Sequence, residues 1–464
     1  MSRMEGDFRF TSFFVDPPGL QDRRQNQGLY QTFQIFPLDI RLKDYGSACY
    51  SRAAFLLAVP CIGGLKPLSV TGLLYPYSPV SGAFLPVLAE HFSRPVPLLQ
   101  RLKVGFVCDP TPTLPDTLFG GVLPSLRELI LSGVSTSLSW GGLENLTTFI
   151  LSEVPKEKIL LVHLLDFFES APHLHHIELR RAFPDISDDH SRRIASLPDL
   201  KKLIIISNIP HSIPLNHLSI PSGASVILEF TFKGDERSPI PANLPKDLDN
   251  IHNLSHITTI NLSFGLERRA MQLKGPSGEL HVLGAWIRED ARTNTGASRL
   301  MRFLDRFDTS RCRWLGITQY NTHRSHPPPS ESTPITSWAP YQSLLLMGNL
   351  HTLALIECNN LHFIIALDPS KNPSEFIQCP KLKEVILYID HPDRLCIVDL
   401  LDMAEGRALR GAKLSTLIVV RTDPLASMDV FQLRDHISRV EYRFDNVSPA
   451  WDALPSSSWC ERVL

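Results

Sequence analysis

The chain has 464 residues and a mass of 52.1 kDa, with 43% hydrophobic and 20% charged residues, a balance that suits a folding chain and excludes a disordered polar tail. Its 46 Lys and Arg nearly cancel its 48 Asp and Glu, leaving a formal charge of −2, so the long-range field offers little to draw a phosphate backbone and nucleic acid is not expected as the main partner. The cysteines at 49, 61, 108, 312, 358, 379, 396 and 460 form no Cys-x-x-Cys pair and no cluster, which argues against a disulfide framework or structural zinc and for a reducing compartment.

Residues 1–34 open MSRMEGDFRFTSFF, without the apolar centre of a signal peptide, and are expected to be irregular. The longest apolar stretch, Ala53 to Ile62, is about half of a membrane span. The expectation is a cytoplasmic or nuclear protein with no membrane contact. From LKPLSV, ending at Val70, an element begins to recur: apolar, two variable, apolar, one variable, apolar. It returns as LLQRLKV to Val104, LRELIL to Leu131, LTTFIL to Leu151, LHHIEL to Leu179 and LKKLII to Ile205. Weaker copies are SVILEF to Phe230, ITTINL to Leu262 and CRWLGI to Ile317, followed by LHTLAL to Leu355, LKEVIL to Leu387, LSTLIV to Val419 and ISRVEY to Tyr442.

Successive end points are 34, 27, 20, 28, 26, 25 and 32 residues apart through Leu262, then 55 to Ile317, then 38, 32, 32 and 23. Leucine-rich repeats run to about 20–29 residues, so the period is that of an irregular leucine-rich-repeat-like solenoid, an α/β horseshoe with a parallel concave sheet and convex helices. The 55-residue step leaves room for a further unit, with GELHVLGAW around Val282 as its strand. Each element ends in alternation, the signature of a short strand with one face buried. Helical spacing marks the convex layer at Leu161, Leu164, Leu165 and Phe168, at Leu300, Phe303, Leu304 and Phe307, at Phe84, Val87 and Leu88, and at Leu400, Leu401 and Ala404. Pro97, Pro124, Pro172, Pro198 and Pro380 precede strands and are expected to end those helices. The solenoid is expected over 35–455, with insertions at 233–248 and 321–340 and a tail at 456–464.

Catalytic signatures are missing: no G-x-S-x-G, P-loop, H-E-x-x-H or G-x-G-x-x-G occurs, so neither catalysis nor a cofactor is expected. Asp185, Asp188, Asp189 and His190 form a polar loop without the glycine and glutamate of a calcium loop, and His173, His175 and His176 cannot bring three ligands to one side of a strand, so no metal is expected. Sequons at Asn145, Asn253 and Asn261 carry weight only in the secretory path. The basic pairs Arg180-Arg181, Arg192-Arg193, Lys201-Lys202 and Arg268-Arg269 read as solvated charge rather than as receptors for a phosphorylated segment.

The informative residues lie between the core positions of each strand. Ile130, Ile150, Ile204, Ile206, Ile356, Ile386, Ile418 and Val420 make an apolar floor there, beside Glu128, His176, Glu178, Arg180 and Lys202. Open, such a floor is a partner interface; covered, it is core. The expected partner-binding set is Ile130, Ile150, His176, Glu178, Arg180, Lys202, Ile204, Ile206, Ile386 and Ile418.

The wording LFGGVLPSLRELILSGVSTSLSWGGLENLTTFILSEVP, LVHLLDFFESAPHLHHIELRRAFPD, LPDLKKLIIISNIPHSIPLNHLSIPSGASVILEF and, near the end, HISRVEYRFDNVSPAWDAL resembles the F-box and leucine-rich-repeat proteins of mushroom-forming fungi, over roughly residues 36–455. The resemblance implies repeats that hold a protein substrate while an F-box docks on the Skp adaptor of a cullin ubiquitin ligase. Residues 1–34 lack the amphipathic spacing of an F-box, and Phe36-Pro37-Leu38-Asp39-Ile40 leads into a strand-like FPLDIRL. Adaptor and cullin are therefore expected as partners only if an F-box lies upstream; the alternative is a free-standing binding module.

Overall fold

The computed structural model describes residues 67–73, 95–107, 111, 113–114, 118–138, 140–154, 160–182, 193–207, 214–231, 257–264, 268–275, 278–285, 307–319, 347–356, 360–371, 377–389, 397–421 and 427–444. The expectations for 1–34, 233–248, 321–340 and 456–464, for the helices at Phe84 to Leu88 and Leu300 to Leu304, and for Asp185 to His190 lie outside these residues. The chain is an α/β protein with mostly parallel sheet and few helices, and it divides into two compact units, Met1–Ser207 with Ser212–Pro221 and Asn208–His211 with Ser222–Leu464.

In the first unit, strands β1 (Pro67–Leu73), β2 (Arg101–Val107), β3 (Glu128–Ser132), β4 (Thr148–Val154), β5 (His176–Ala182) and β7 (Lys202–Ser207) pair side by side, all parallel. The register stacks equivalent repeat positions. Leu102, Leu129, Phe149, Ile177 and Leu203 form one inward row and Val104, Leu131, Leu151, Leu179 and Ile205 the next, all fully buried. Burying such a side chain contributes about 1.5–3 kcal/mol, so the rows carry much of the unit's stability. A short parallel pair, β6 (Ala195–Ser196) with β8 (Leu218–Ser219), lies outside this sheet.

The entry to each strand is built the same way. A β-turn closes with a backbone hydrogen bond from Leu99 to Val96, Leu126 to Leu123, Leu146 to Leu143, Leu174 to Ala171 and Leu200 to Leu197. Pro97, Pro124, Pro172 and Pro198 sit second in these turns, where a fixed φ suits the bend. All four thus take part in turn formation, and Pro172 also follows a helix, Leu161–Ser170, after the single residue Ala171, as expected. Next, one carbonyl clamps two amides of the following repeat: Gln100 O accepts from Arg127 N and Glu128 N at 2.7 and 3.0 Å, and Arg127 O, Thr147 O and His175 O repeat the pattern. The strands close with a stacked left-handed corner at Gly133 (φ 60), Glu153 (φ 56) and Arg181 (φ 47). Only the first is glycine, so two repeats hold a side chain in a conformation that favours glycine.

Helix α1 (Leu161–Ser170) covers the inward face with Leu161, Leu164, Leu165, Phe167 and Phe168, the spacing of one helical face, and stops before Ala171-Pro172. The Phe167 ring lies 4.4 Å from Phe149, 6.0 Å from Phe168 and 6.3 Å from Trp140. An aromatic knot therefore pins the helix to β4.

The second unit keeps the repeat but departs from all-parallel order. β9 (Ser225–Thr231) pairs with β12 (Glu279–Ala285), β12 antiparallel with β11 (Arg268–Lys274), β11 antiparallel with β10 (Thr259–Phe264), and β10 parallel with β13 (Trp314–Gln319). Thus GELHVLGAW does form a strand, but as the last limb of a meander rather than as a further repeat. β14 (Thr352–Ile356), β15 (Glu384–Ile389), β16 (Thr416–Arg421) and β17 (Arg439–Phe444) then follow in parallel. The same turn and clamp recur at Thr309–Cys312, Met347–Leu350 and Cys379–Leu382, the last with Pro380 second.

Helices α2 (Asn360–Leu367), α3 (Ile397–Leu409) and α4 (Ser427–His436) belong to this unit. Leu400, Met403, Ala404 and Arg407 form the buried face of α3, so Leu400 and Ala404 fall where helical spacing places them and Leu401 lies partly exposed. Among the described residues, no helix is long and apolar enough to cross a membrane.

Candidate protein-recognition face

Alternation along each strand sends every second side chain away from the core. In the first unit the register groups these into three rows: Arg101, Glu128, Thr148, His176 and Lys202; Lys103, Ile130, Ile150, Glu178 and Ile204; Gly105, Ser132, Ser152, Arg180 and Ile206. Eight of the ten expected partner-binding residues lie on this one face, and parallel pairing is what brings residues over 70 positions apart together.

The face grades from open to closed. Arg101 and Lys103 on β2 are exposed; Ile130, Ile150, His176, Arg180, Lys202 and Ile206 are half-buried; Glu178 and Ile204 are buried at 4% and 2% exposure. Of the two readings open for the apolar floor, the covered one describes Ile204, which is part of a packed interior and not an open anchor. The polar positions pair across strands or along one. Arg101 forms an ion pair with Glu128, Arg180 with Glu178, and His176 Nε2 lies 3.8 Å from Glu178 Oε2. Burial, together with the nearby Lys202 and Arg180, lowers the His176 pKa and keeps the ring neutral near pH 7. Glu178 is thus a buried carboxylate held by a guanidinium, beside aliphatic side chains.

In the second unit the corresponding face is largely closed: Ala354, Ile356, Ile418 and Val420 are buried at 1%, 1%, 7% and 5% exposure, and Ile386 alone of the expected residues there stays half-buried. Ile418 therefore joins Ile204 as interior.

The basic pairs are mostly engaged. Arg181 Nη1 lies 3.5 Å from Glu153, and Arg193 binds Asp166 and Glu169 of α1, contacts that raise the guanidinium's pKa. His173 bonds Asp199 at 2.7 Å, and this hydrogen bond lowers the Asp199 carboxyl's pKa. Among the described residues no group of three or more His, Cys, Asp or Glu is placed to hold a metal ion. The thiols of Cys312 and Cys379 are buried and pushed up to about 12 by burial, and so are protonated and inert at neutral pH. Asn261 of the NLS sequon is buried, while Asn145 is exposed and donates to Pro124 O at 2.7 Å.

Two features escaped sequence reasoning. Strand β11 left a trace in RRAMQLK, where Met271 and Leu273 alternate with polar residues ahead of the turn-forming wording Gly-Pro-Ser-Gly, but the alternation carries no strand direction. Arg407 left none: a fully buried guanidinium reaching Gln378 O and Cys379 O, both at 2.9 Å, leaves no mark in the pattern beyond one charge on an apolar helix face. No protein-family model matches the chain, and no curated protein matches it.

Proposed function

We propose that this protein is a leucine-rich-repeat-like solenoid that recognises another protein through the outward face of β2, β3, β4, β5 and β7. The observation that carries the reading is the register, which collects Ile130, Ile150 and Ile206 with Arg101, Lys103, Arg180 and Lys202 into one half-open surface of apolar centre and charged margin. Half-buried aliphatic residues flanked by charges can still lose water to a partner, whereas the two inward rows cannot.

The biological setting we propose is substrate recognition for a cullin-type ubiquitin ligase, with an F-box joined upstream of these repeats. This part rests on the resemblance of the repeat wording to fungal F-box proteins. A free-standing, non-catalytic binding module is the second reading. Neither nucleic acid nor a membrane is a partner in either.

The test is quantitative affinity capture from cell extract with the wild type and with Ile130→Asp/Ile150→Asp. Both positions lie outside the core rows, so melting should be little changed while captured partner falls by more than tenfold. An unchanged partner set with an intact fold would refute the assignment of this face. Co-purification of the Skp adaptor only when an F-box is fused ahead of residue 1 would support the ligase setting.

A further inference from the structure

The outward rows of the first unit hold more positive charge than their own carboxylates balance. Arg101, Lys103, Arg180 and Lys202 stand against Glu128 and Glu178, an excess of two positive charges on the described face of a chain whose formal charge is −2. Each carboxylate is already held by an arginine, Glu128 by Arg101 and Glu178 by Arg180. Lys103 is exposed on β2, and among the described residues no carboxylate pairs with it. In register it stands beside Ile130, and Ile130 beside Ile150, both half-buried. Two residues further along β3 and β4 lie Ser132 and Ser152, small, uncharged and half-buried. The patch is therefore one ammonium at the rim of an aliphatic floor, with room above the small side chains on its far side.

A partner that covers this patch must deal with the ammonium. A neutral or cationic surface would strip it of water and leave it unpaired, which weakens binding, whereas a carboxylate set against it keeps the charge satisfied. A phosphate fits less well, because the planar arginine forks suited to its oxygens are engaged with Glu128 and Glu178. Distance adds a spacing rule. Neighbouring strands lie about 4.8 Å apart, so the midpoint between Ile130 and Ile150 is about 7 Å from Lys103 across the sheet. In an extended segment the side chains of positions i and i+2 point the same way and lie about 7 Å apart.

We infer that this face receives an extended acidic segment, in which a carboxylate side chain lies against Lys103 and an aliphatic side chain two positions away rests on Ile130 and Ile150. The inference rests on the recognition reading above and adds the partner's chemistry to it.

The test is selection of a random peptide library, displayed on phage, against the full chain, with enriched sequences resynthesised for fluorescence polarisation. The expected clones carry Asp or Glu two positions from Ile, Leu or Val. They should lose affinity more than tenfold on Lys103→Glu and on Ile130→Asp/Ile150→Asp. Replacing the peptide's acid by lysine should restore binding to Lys103→Glu, a rescue that damage to the fold cannot give. Clones that need the isoleucines but bind Lys103→Glu as tightly as the wild type overturn the inference and leave the recognition face standing. A selection that yields no peptide sensitive to Ile130→Asp/Ile150→Asp overturns the recognition reading, and the inference with it.

Discussion

Replacing Arg407 probes the least expected contact of the second unit. Its guanidinium is fully buried on α3 and donates to Gln378 O and Cys379 O, carbonyls at the mouth of the turn that leads into β15. Burial lowers its pKa and no carboxylate is recorded against it among the described residues, so the two carbonyls are what hold the charge in place. Hydrogen bonds from a charged donor contribute about 1.5–3 kcal/mol each. Cys379 O keeps a second donor, Leu382 N at 2.9 Å, so its loss counts at the low end, whereas Gln378 O is left without the guanidinium at a cost of about 1–3 kcal/mol. Against this, Arg407→Ala removes a buried charge and recovers part of its desolvation, while the emptied volume costs more. The net expectation is about 3 kcal/mol of destabilisation for Arg407→Ala, and less for Arg407→Met, which keeps the aliphatic stem. For a unit of this size each kcal/mol moves the melting temperature by about 2–4 °C, so Arg407→Ala should melt about 6–12 °C lower. Arg407→Lys, with one nitrogen for two diverging carbonyls, should recover less than half of the difference. Thermal melts by circular dichroism read all three, and Arg407→Ala melting with the wild type would refute the reasoning.

Phe167→Ala should destabilise the first unit by about 3–5 kcal/mol in urea titration, because the ring touches Trp140, Phe149 and Phe168, and Phe167→Leu should recover more than half of that. Ile204→Asp should lower the melting temperature as a core substitution does, while Ile130→Asp on the same outward row should not; equal melting of the two would contradict the gradient of burial along the face. Because the Glu279 carboxyl is held near 2 in the fold against an ordinary 4.5, its contribution to stability is complete above pH 4.5 and disappears as pH falls toward 2. Glu279→Gln should therefore flatten the acid limb of the stability curve, and an identical acid limb would count against the depressed value.

The strands were legible because burial writes itself into alternation: each L-x-x-L-x-L ending from Val104 to Tyr442 falls on a strand, and Leu161 to Phe168 falls on α1. Turn chemistry was legible only in part, since Pro97, Pro124 and Pro198 look like helix stops until the Leu-to-apolar hydrogen bond three residues back shows a β-turn. The antiparallel limb β11 was hidden because alternation carries no strand direction. For the candidate face, sequence identified which residues point outward but not which are covered. Ile150 and Ile204 occupy the same register row, yet one is half-buried and the other buried. That difference depends on what packs above the sheet, which no local pattern encodes. Left-handed Glu153 and Arg181 were likewise invisible, because only Gly133 among the stacked corner residues carries a compositional mark.

The central claim, that the outward face of the first unit's sheet receives a protein partner, is tested most directly by site-specific photo-crosslinking in cells. A benzophenone amino acid placed at Ile150, on the outward face of β4, is compared with one at Val162, 44% exposed on α1. The account predicts a discrete crosslinked protein from position 150 and none from position 162. Crosslinking from 162 alone would contradict it.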